Sequence, residues 1–274
     1  MRLDLHLHTS CSDGLLPPAR VVQAARRAGL DVIAITDHDT LAGVAPAQAE
    51  AAADGGPRVV PGIELTCAWN GADFHLLGYA VDPTHPGLAA LAAGMIERRR
   101  GRAEEIVARL RALGVAIHAD DVRVEVPKGN AAIGRPHIAQ ALVRLGRVGS
   151  IQEAFSRWLA DGGPAYVPSA GPQVAEGIRA VLAAGGCPVW AHPCGADARH
   201  FAALRDAGLA GVEALRPQQP PAESAAIEQA ARAAGLVVTG GSDWHGSPRQ
   251  ALGSWFVTDK HVAPFLRRIG ILAE

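Results

Sequence analysis

Short apolar runs alternate with alanine-rich stretches along most of the chain. The apolar runs have the length and composition of strands, and the alanine-rich stretches have those of helices. The predicted strands cover residues 2–8, 32–36, 58–65, 74–80, 188–191, 211–214 and 236–239. The predicted helices cover residues 17–28, 44–53, 173–184, 198–207 and 222–234. This alternation predicts βα units with a mostly parallel sheet, and the 274 residues suit a single α/β barrel.

The first predicted strand places two histidines on one face. His6 and His8 are two residues apart, so a strand directs both imidazoles the same way and the intervening leucines the other way. Asp243 and His245 repeat this spacing almost a whole chain away, and a closed barrel would bring the two pairs together. Further imidazoles and carboxylates lie near the ends of predicted strands, at Asp13, His38, Glu64, His75 and His192. Such a set predicts more than one metal ion at the carboxyl ends of the strands.

The alternation stops between residues 86 and 168, where the sequence indicates several helices and no convincing strand. We therefore expect a barrel domain built from residues 1–85 and 169–274, with residues 86–168 forming a helical cap over its mouth. The first helix of this insertion carries an arginine run at 98–100 and 102, and a Gly-Arg-Pro-His stretch follows at 134–137.

Composition and charge exclude several classes of protein. The formal net charge of −1 argues against a general basic surface for a long nucleic-acid duplex, although a small anionic substrate remains compatible. The four cysteines have no Cys-x-x-Cys spacing, which argues against a zinc finger and a disulfide scaffold. The absence of a signal-peptide pattern and of a long apolar run favours a cytoplasmic protein without a membrane segment. We expect a monomer.

The ordered polar motifs resemble those of the polymerase-and-histidinol-phosphatase (PHP) family. The motifs are His6-Leu7-His8-Thr9, Ser12-Asp13-Gly14, Thr36-Asp37-His38-Asp39, Gly62-Ile63-Glu64, His75, Ala191-His192-Pro193 and Ser242-Asp243-Trp244-His245. The resemblance implies a distorted (β/α)7 barrel, similar to a TIM barrel, with a trinuclear metal centre. It implies that one ion is held by His6, His8, Glu64 and Asp243, a second by Glu64, His75 and His192, and a third by Asp13, His38 and His245.

Phosphoryl transfer to water is the reaction that these ligands favour. Three carboxylates and six neutral imidazoles around three divalent ions leave a net charge of about +3, which suits a phosphate ester and a bridging hydroxide. Mixed nitrogen and oxygen ligands suit manganese, iron or zinc better than calcium, and ligand type alone does not choose among the three. We expect three divalent ions, manganese first, with zinc or iron as alternatives. We expect Asp13, His38, Glu64, His192 and Asp243 to have catalytic roles as part of this centre.

Within the family, the arginine run and the Gly-Arg-Pro-His stretch of the insertion make the chain similar to a bacterial subgroup that includes 3′,5′-nucleoside bisphosphate phosphatases and short-RNA 5′→3′ exonucleases. We favour the phosphatase activity. The expected reaction is attack of a metal-bridging hydroxide on the 3′-phosphate, which yields a nucleoside 5′-monophosphate. Arg99, Arg102, Arg135 and His137 are candidates for binding the other phosphate. The arginine run equally fits a solvated helix face, and His137 equally fits a helix cap.

Other functions stay open at this point. A 5′→3′ exonuclease on short RNA and a histidinol-phosphate phosphatase would share the metal ligands. A binuclear amidohydrolase would share the His-x-His opening, but the scarcity of lysine disfavours its bridging lysine. A non-catalytic nucleotide-sensing module is disfavoured because no ligand position is missing.

Overall fold

One twisted sheet forms a nearly closed barrel in the computed structural model, which describes residues 1–53, 55–126, 132–246 and 250–273. The strands are β1 (Arg2–Leu7), β2 (Val32–Ile35), β3 (Arg58–Trp69), β4 (Ala72–Tyr79), β5 (Cys187–Trp190), β6 (Gly211–Leu215), β7 (Val237–Gly240) and β8 (Val257–Thr258). Their order across the sheet is β7-β6-β5-β4-β3-β2-β1-β8. The segment after β7 returns to β1, where the His8 N–H donates to the Trp244 carbonyl oxygen at 3.0 Å. This contact brings the two ends of the chain together, as the sequence predicted.

The sheet is more mixed than predicted. β1–β2, β2–β3, β5–β6 and β6–β7 pair in parallel, but β4 is antiparallel to both β3 and β5. No helix separates β3 from β4, because Asn70 and Gly71 form a tight turn with φ angles of 51° and 80°. The prediction that β3 ends at residue 65 was therefore wrong, since pairing with β4 extends it to Trp69.

Helices connect the other strands and cover the barrel. They are α1 (Pro18–Arg27), α2 (Val44–Ala53), α3 (Pro86–Ala112), α4 (Ala119–Arg123), α5 (Arg135–Arg144), α6 (Ile151–Ala154), α7 (Val174–Ala183), α8 (Phe201–Asp206), α9 (Pro221–Ala233) and α10 (Asp259–Arg268). In α1, Val21, Val22 and Ala25 form the buried face, and Pro18 occupies the first turn, where its missing N–H has no cost. The predicted helix at 198–207 is a 3₁₀ turn, Gly195–His200, followed by α8. Within the described ranges, no helix is long and apolar enough to cross a membrane.

The described part of the insertion at 86–168 contains helices and no strand. Ile106, Leu110, Ile138, Leu142 and Leu159 belong to a hydrophobic cluster of its own, separate from those of the barrel. Residues 88 and 92 in the first turns of α3 pack instead into a barrel cluster. Helix α3 thus connects the two cores, and the role of the insertion as a cap stays a prediction.

Candidate metal centre

β1 and the residue that follows it present two histidines, His6 and His8, to the barrel interior. His6 and His8 have no solvent exposure, and neither do the alternating leucines on the opposite face. Both faces are buried because the sheet curves around the site on one side and helices cover the other. The alternation read from the sequence is therefore correct, and it delivers two imidazoles side by side.

The first group of potential ligands is the one that the sequence predicted. His6, His8, Glu64 and Asp243 offer ligand atoms that all lie within 4.8 Å of one another. The Nε2 atoms of His6 and His8 each lie 3.2 Å from Glu64 Oε2. His8 Nε2 also lies 3.2 Å from Asp243 Oδ1. Two imidazoles and two carboxylates around one point suit a divalent ion.

The second group surrounds the other oxygen of the same glutamate. Glu64 Oε1 lies 2.9 Å from His75 Nδ1 and 3.1 Å from His192 Nε2, and the two imidazole nitrogens are 3.2 Å apart. His75 reaches this point because β4 runs antiparallel, so its amino-terminal half lies at the same end of the barrel as the carboxyl ends of the parallel strands. The two carboxylate oxygens of Glu64 thus face different imidazoles, Oε2 in the first group and Oε1 in the second.

The third group comprises His8, Asp13, His38 and His245, again within 4.8 Å of one another. His245 Nε2 lies 3.3 Å from Asp13 Oδ1, and His38 Nε2 lies 3.9 Å from Asp13 Oδ2. Two histidines connect the groups more closely than expected. His8 belongs to the first and third groups, and His38 Nδ1 lies 3.1 Å from Glu64 Oε2. The structure thus brings all nine predicted ligand residues together.

Four polar atoms of this centre lack the hydrogen bonds that buried groups normally make. Both ring nitrogens of His8, Oδ1 of Asp13 and Nδ1 of His38 are buried without a hydrogen-bond partner among the described residues. These atoms lie near charged neighbours but without the geometry of a hydrogen bond. Burial of such atoms destabilises the fold unless another group binds them. Metal ions of mixed nitrogen and oxygen preference would do so. The residues therefore fit divalent ions, while three ions and manganese stay predictions.

The electrostatics keep the carboxylates ionised. Burial alone would raise the pKa of Glu64, but the surrounding imidazoles of His38, His6 and His75 hold it well below its usual value. Burial likewise opposes ionisation of Asp13, and His38 and His245 outweigh it, so the pKa of Asp13 is also well below its usual value. Both carboxylates are thus negatively charged at neutral pH, as metal ligands must be.

Two ligands sit on strained backbone. His192 and Asp243 have φ angles of 40° and 54°, a left-handed region that residues with a Cβ rarely adopt. Strain of this kind costs about 1–3 kcal/mol and persists where the surrounding structure fixes it. Here it turns each side chain from the strand end into the centre.

Several buried carboxylates around the centre were not predicted. Glu213 in β6 has no solvent exposure. Its Oε1 accepts a hydrogen bond from His6 Nδ1 at 2.9 Å, and its Oε2 accepts one from the His192 backbone N–H at 3.0 Å. Asp4, also fully buried, accepts from the backbone and hydroxyl of Ser242 at 2.8 and 2.6 Å. These carboxylates hold the ligand-bearing segments in place.

The loop that carries Asp13 has a similar support. Asp37 is fully buried and accepts hydrogen bonds from the Thr9 backbone at 2.7 Å and from the Ser12 hydroxyl at 2.6 Å. The signal for such residues is an ionisable residue inside an apolar run, as in Gly-Val-Glu-Ala-Leu at 211–215.

Three of the predicted substrate-binding residues line a cleft beside the metal centre. This arginine cleft, of roughly 560 Å³, is lined by Arg99, Arg102 and Arg135 together with Asp13, His38, Thr66, Asp73, His75, Pro136, Phe155 and His245. The side chains of Arg99 and Arg102 are only 12% and 14% exposed. Two members of the arginine run therefore do not form the solvated helix face that the sequence left open.

Protein groups already hold these arginines in position. Arg99 donates from Nε to Asp39 at 2.6 Å and from Nη2 to Thr66 at 2.9 Å. Arg102 donates to the Val167 carbonyl oxygen at 2.7 Å and to Asp73 at 3.2 Å. Fixed guanidinium groups lose less entropy when they bind a phosphate.

The other two candidates have defined contacts as well. Arg135 donates to Asp161 at 2.5 Å and to the Leu159 carbonyl oxygen at 3.0 Å. His137 is buried, and its Nδ1 accepts the Gly134 backbone N–H at 3.0 Å. This is the helix-cap role that the sequence left open for His137, and a substrate contact by it stays a prediction.

A barrel whose rim gathers imidazoles and ionised carboxylates in overlapping groups defines a metal-dependent hydrolase. The comparisons with known proteins are more specific. The family model of the PHP domain matches residues 4–119. The chain is 32% identical to the 5′-3′ exoribonuclease Rnm of Escherichia coli (strain K12) over 252 residues, which cover 88% of this chain and 84% of the relative.

A second relative carries a different name. The 3′,5′-nucleoside bisphosphate phosphatase of Chromobacterium violaceum is 32% identical over 249 residues, covering 89% of this chain and 87% of the relative. A solved structure from Bifidobacterium adolescentis, classed as a metal-dependent phosphoesterase, matches with a TM-score of 0.87 and 34% identity. That match covers 97% of this chain and 96% of the other. The chain belongs to the PHP family of metal-dependent phosphoesterases.

Proposed function

We propose that the protein removes the 3′-phosphate from nucleoside 3′,5′-bisphosphates and yields nucleoside 5′-monophosphates. The observation that carries the proposal is the position of the arginine cleft, which opens directly beside the metal-ligand groups. A substrate with two phosphates needs two anion sites, and the chain offers both within one opening. The relative from Chromobacterium violaceum carries the name of this activity.

The ligand groups give each predicted catalytic residue a task. We propose that Asp13, His38, Glu64, His192 and Asp243 would help to hold the metal ions, with Glu64 contributing to the first two ligand groups. When bound, the ions supply positive charge for the phosphoryl oxygens and activate the attacking water. The ionised carboxylates would limit the excess positive charge of the ions.

The arginines take the second phosphate in this proposal. Arg99 and Arg102 come from α3 and Arg135 from the start of α5, so all three belong to the helical segment at 86–168. We propose that this segment caps the barrel mouth and sets the distance between the two phosphates. Guanidinium groups bind phosphate oxygens through paired N–H donors, which fixes orientation as well as charge.

The first experiment measures phosphate release from adenosine 3′,5′-bisphosphate and histidinol phosphate, and mononucleotide release from a 5′-phosphorylated RNA pentamer, with manganese and with a chelator. Fast, chelator-sensitive release from the bisphosphate, leaving the 5′-monophosphate, is the expected result. Preferential release from histidinol phosphate, or silence on all three substrates, contradicts the proposal.

A matched pair of variants then tests the arginine cleft. Arg135→Ala raises the KM for the bisphosphate more than that for a nucleoside 3′-monophosphate, because only the bisphosphate carries a second phosphate for Arg135 to bind. Arg144→Ala is the control, since Arg144 lies on the same helix but pairs with Glu125 at the surface. Equal changes in both KM values for Arg135→Ala contradict the assignment.

A second candidate is 5′→3′ exonuclease activity on short RNA. A diester at the metal centre presents the same phosphorus and the same 3′-oxygen as the bisphosphate. The relative from Escherichia coli carries the name of an exoribonuclease. An open groove next to His75 and His192, of roughly 800 Å³, leaves space for a chain that continues beyond the scissile phosphate.

A further inference from the structure

The groove next to His75 and His192 differs in chemistry from the arginine cleft. Its aromatic and polar lining includes Trp69, Phe74, Trp190, Arg199 and His200, and we call it the aromatic groove. His75 lines both openings, so the two meet at the second ligand group. A ligand that extends from one opening to the other must therefore pass the metal centre.

Aromatic rings in this groove form a fixed cluster with one exposed side. Trp190 and Phe74 are 6% and 3% exposed, whereas Trp69 and His200 are half-buried. The ring of Trp69 stands nearly perpendicular to those of Trp190 and His200, with angles of 87° and 84° and centroid distances of 5.4 and 4.6 Å. The buried rings thus fix Trp69 while part of its surface faces the groove.

One guanidinium group of the groove is available to an anionic ligand. Arg199 is exposed and forms no ion pair in the ranges that the structure describes, and its Nε donates to His200 at 2.9 Å. The two carboxylates of the groove are occupied, since Asp73 pairs with Arg102 at 3.2 Å and Asp197 accepts the Cys194 backbone N–H at 2.8 Å. Stacking surface next to an unpaired guanidinium is the combination that binds single-stranded nucleic acid.

The direction of the substrate follows from the proposed function, on which this inference rests. With the 5′-phosphate in the arginine cleft and the 3′-phosphorus at the metal centre, a group esterified to that phosphorus extends toward the remaining opening. We infer that the aromatic groove binds the second nucleoside of a short 5′-phosphorylated RNA, with its base against Trp69 and His200.

The reaction balances with the same bond broken in both substrates. The oxygen of water bonds to phosphorus, the bond from phosphorus to the 3′-oxygen of the first nucleotide breaks, and that oxygen takes a proton. The products are a nucleoside 5′-monophosphate and an RNA one nucleotide shorter that keeps a 5′-phosphate. The aromatic groove would hold this shortened RNA, and Arg199 would lie near its next phosphate.

A binding experiment tests the groove without depending on turnover. Binding of two ligands to the manganese-loaded protein is measured by calorimetric titration. The first ligand is a 5′-phosphorylated diadenosine with a methylphosphonate linkage that resists hydrolysis. The second is the same molecule without its second base. We expect the second base to tighten binding roughly 5-fold to 150-fold, the range for one base stacked on an aromatic side chain. Trp69→Leu should abolish this advantage.

The controls separate stacking from folding. His200→Ala removes the second ring and is the deciding variant if Trp69→Leu does not fold. Trp255→Leu should keep the advantage, because Trp255 is also half-buried but packs against a different barrel cluster and lines neither opening. Equal affinity of the wild type for the two ligands overturns the inference, as does an advantage that survives in every folded groove variant.

Hydrolysis of adenosine 3′,5′-bisphosphate is measured in parallel. If the second base contributes to binding but the bisphosphate is not hydrolysed, the proposed function is refuted and the assignment of the aromatic groove is supported. If the bisphosphate is hydrolysed but the base contributes nothing, the groove assignment fails and the phosphatase proposal stands.

Discussion

Glu213 is the residue whose removal best tests how the metal centre is held. Its carboxylate accepts a hydrogen bond from His6 Nδ1 at 2.9 Å and from the His192 backbone N–H at 3.0 Å. His6 belongs to the first group of potential ligands and His192 to the second, so one carboxylate positions members of both groups. Glu213→Gln keeps the size of the side chain but retains only one acceptor oxygen, so one of the two hydrogen bonds is lost.

The magnitude follows from burial. Glu213 is fully buried, so the donor left behind has no access to water and costs about 1–3 kcal/mol of stability. Loss of an outer partner of a metal-bound histidine typically lowers metal affinity or activity by about 10-fold to 100-fold. That range corresponds to about 1.4–2.8 kcal/mol of binding free energy. We expect Glu213→Gln to lie within it.

The assay measures manganese affinity by competition with a chelator, together with activity at saturating manganese. A positioning role lowers the affinity and raises the manganese concentration needed for half-maximal activity, whereas a purely structural role lowers only the melting temperature. Glu228→Gln is the control, since Glu228 pairs with Arg232 on the surface of α9. Unchanged manganese affinity in folded Glu213→Gln would refute the reasoning.

Three further predictions concern the metal, a thiol and a glycine. Manganese at 100 times its dissociation constant should stabilise the protein by about 2.7 kcal/mol and raise its Tm by roughly 5–10 °C in a thermal-shift assay, and an unchanged Tm contradicts the fit of ions to the buried ligands. Burial raises the pKa of Cys187 to about 11, so this thiol stays protonated at pH 8. Peptide mass spectrometry after iodoacetamide treatment should therefore find the exposed Cys194 labelled far faster than Cys187. Equal labelling of the two cysteines contradicts the burial of Cys187. Gly241→Ala would place a Cβ 2.2 Å from the Cβ of His6 and should weaken manganese binding, whereas Gly94→Ala meets no atom within 4 Å and should leave it unchanged.

The sequence predicted which polar residues gather at one place far better than it predicted the topology that positions them. The shared orientation of His6 and His8 could be predicted because strand alternation is a local property. Their burial in and directly after β1 follows from it. The apolar pattern alone did not predict the direction of β4, because an antiparallel strand and a parallel one share that pattern. The turn at Asn70 and Gly71 was the local signal for the hairpin. That turn explains why β3 continues past residue 65.

Supporting residues were harder to predict than ligands. Glu213 belongs to none of the motifs that resemble those of the PHP family. Its role arises from contacts with His6 and His192, which lie 207 and 21 positions away in the sequence. Arg99 and Arg100 are neighbours in one run, yet the first lies against Asp39 in the arginine cleft and the second pairs with Glu97 in solvent. Only the rotation of α3 against the barrel distinguishes them, and helical periodicity alone does not fix that rotation.

The need for metal is built into the way the barrel closes. The ligands come from both ends of the chain, and the contact between His8 and Trp244 that joins those ends lies inside the centre. Closure therefore buries imidazole nitrogens of His8 and His38 without hydrogen-bond partners among the described residues, which is unfavourable. Divalent ions would satisfy these atoms and bind the folded chain in preference to the unfolded one, so metal binding and closure of the barrel should stabilise each other.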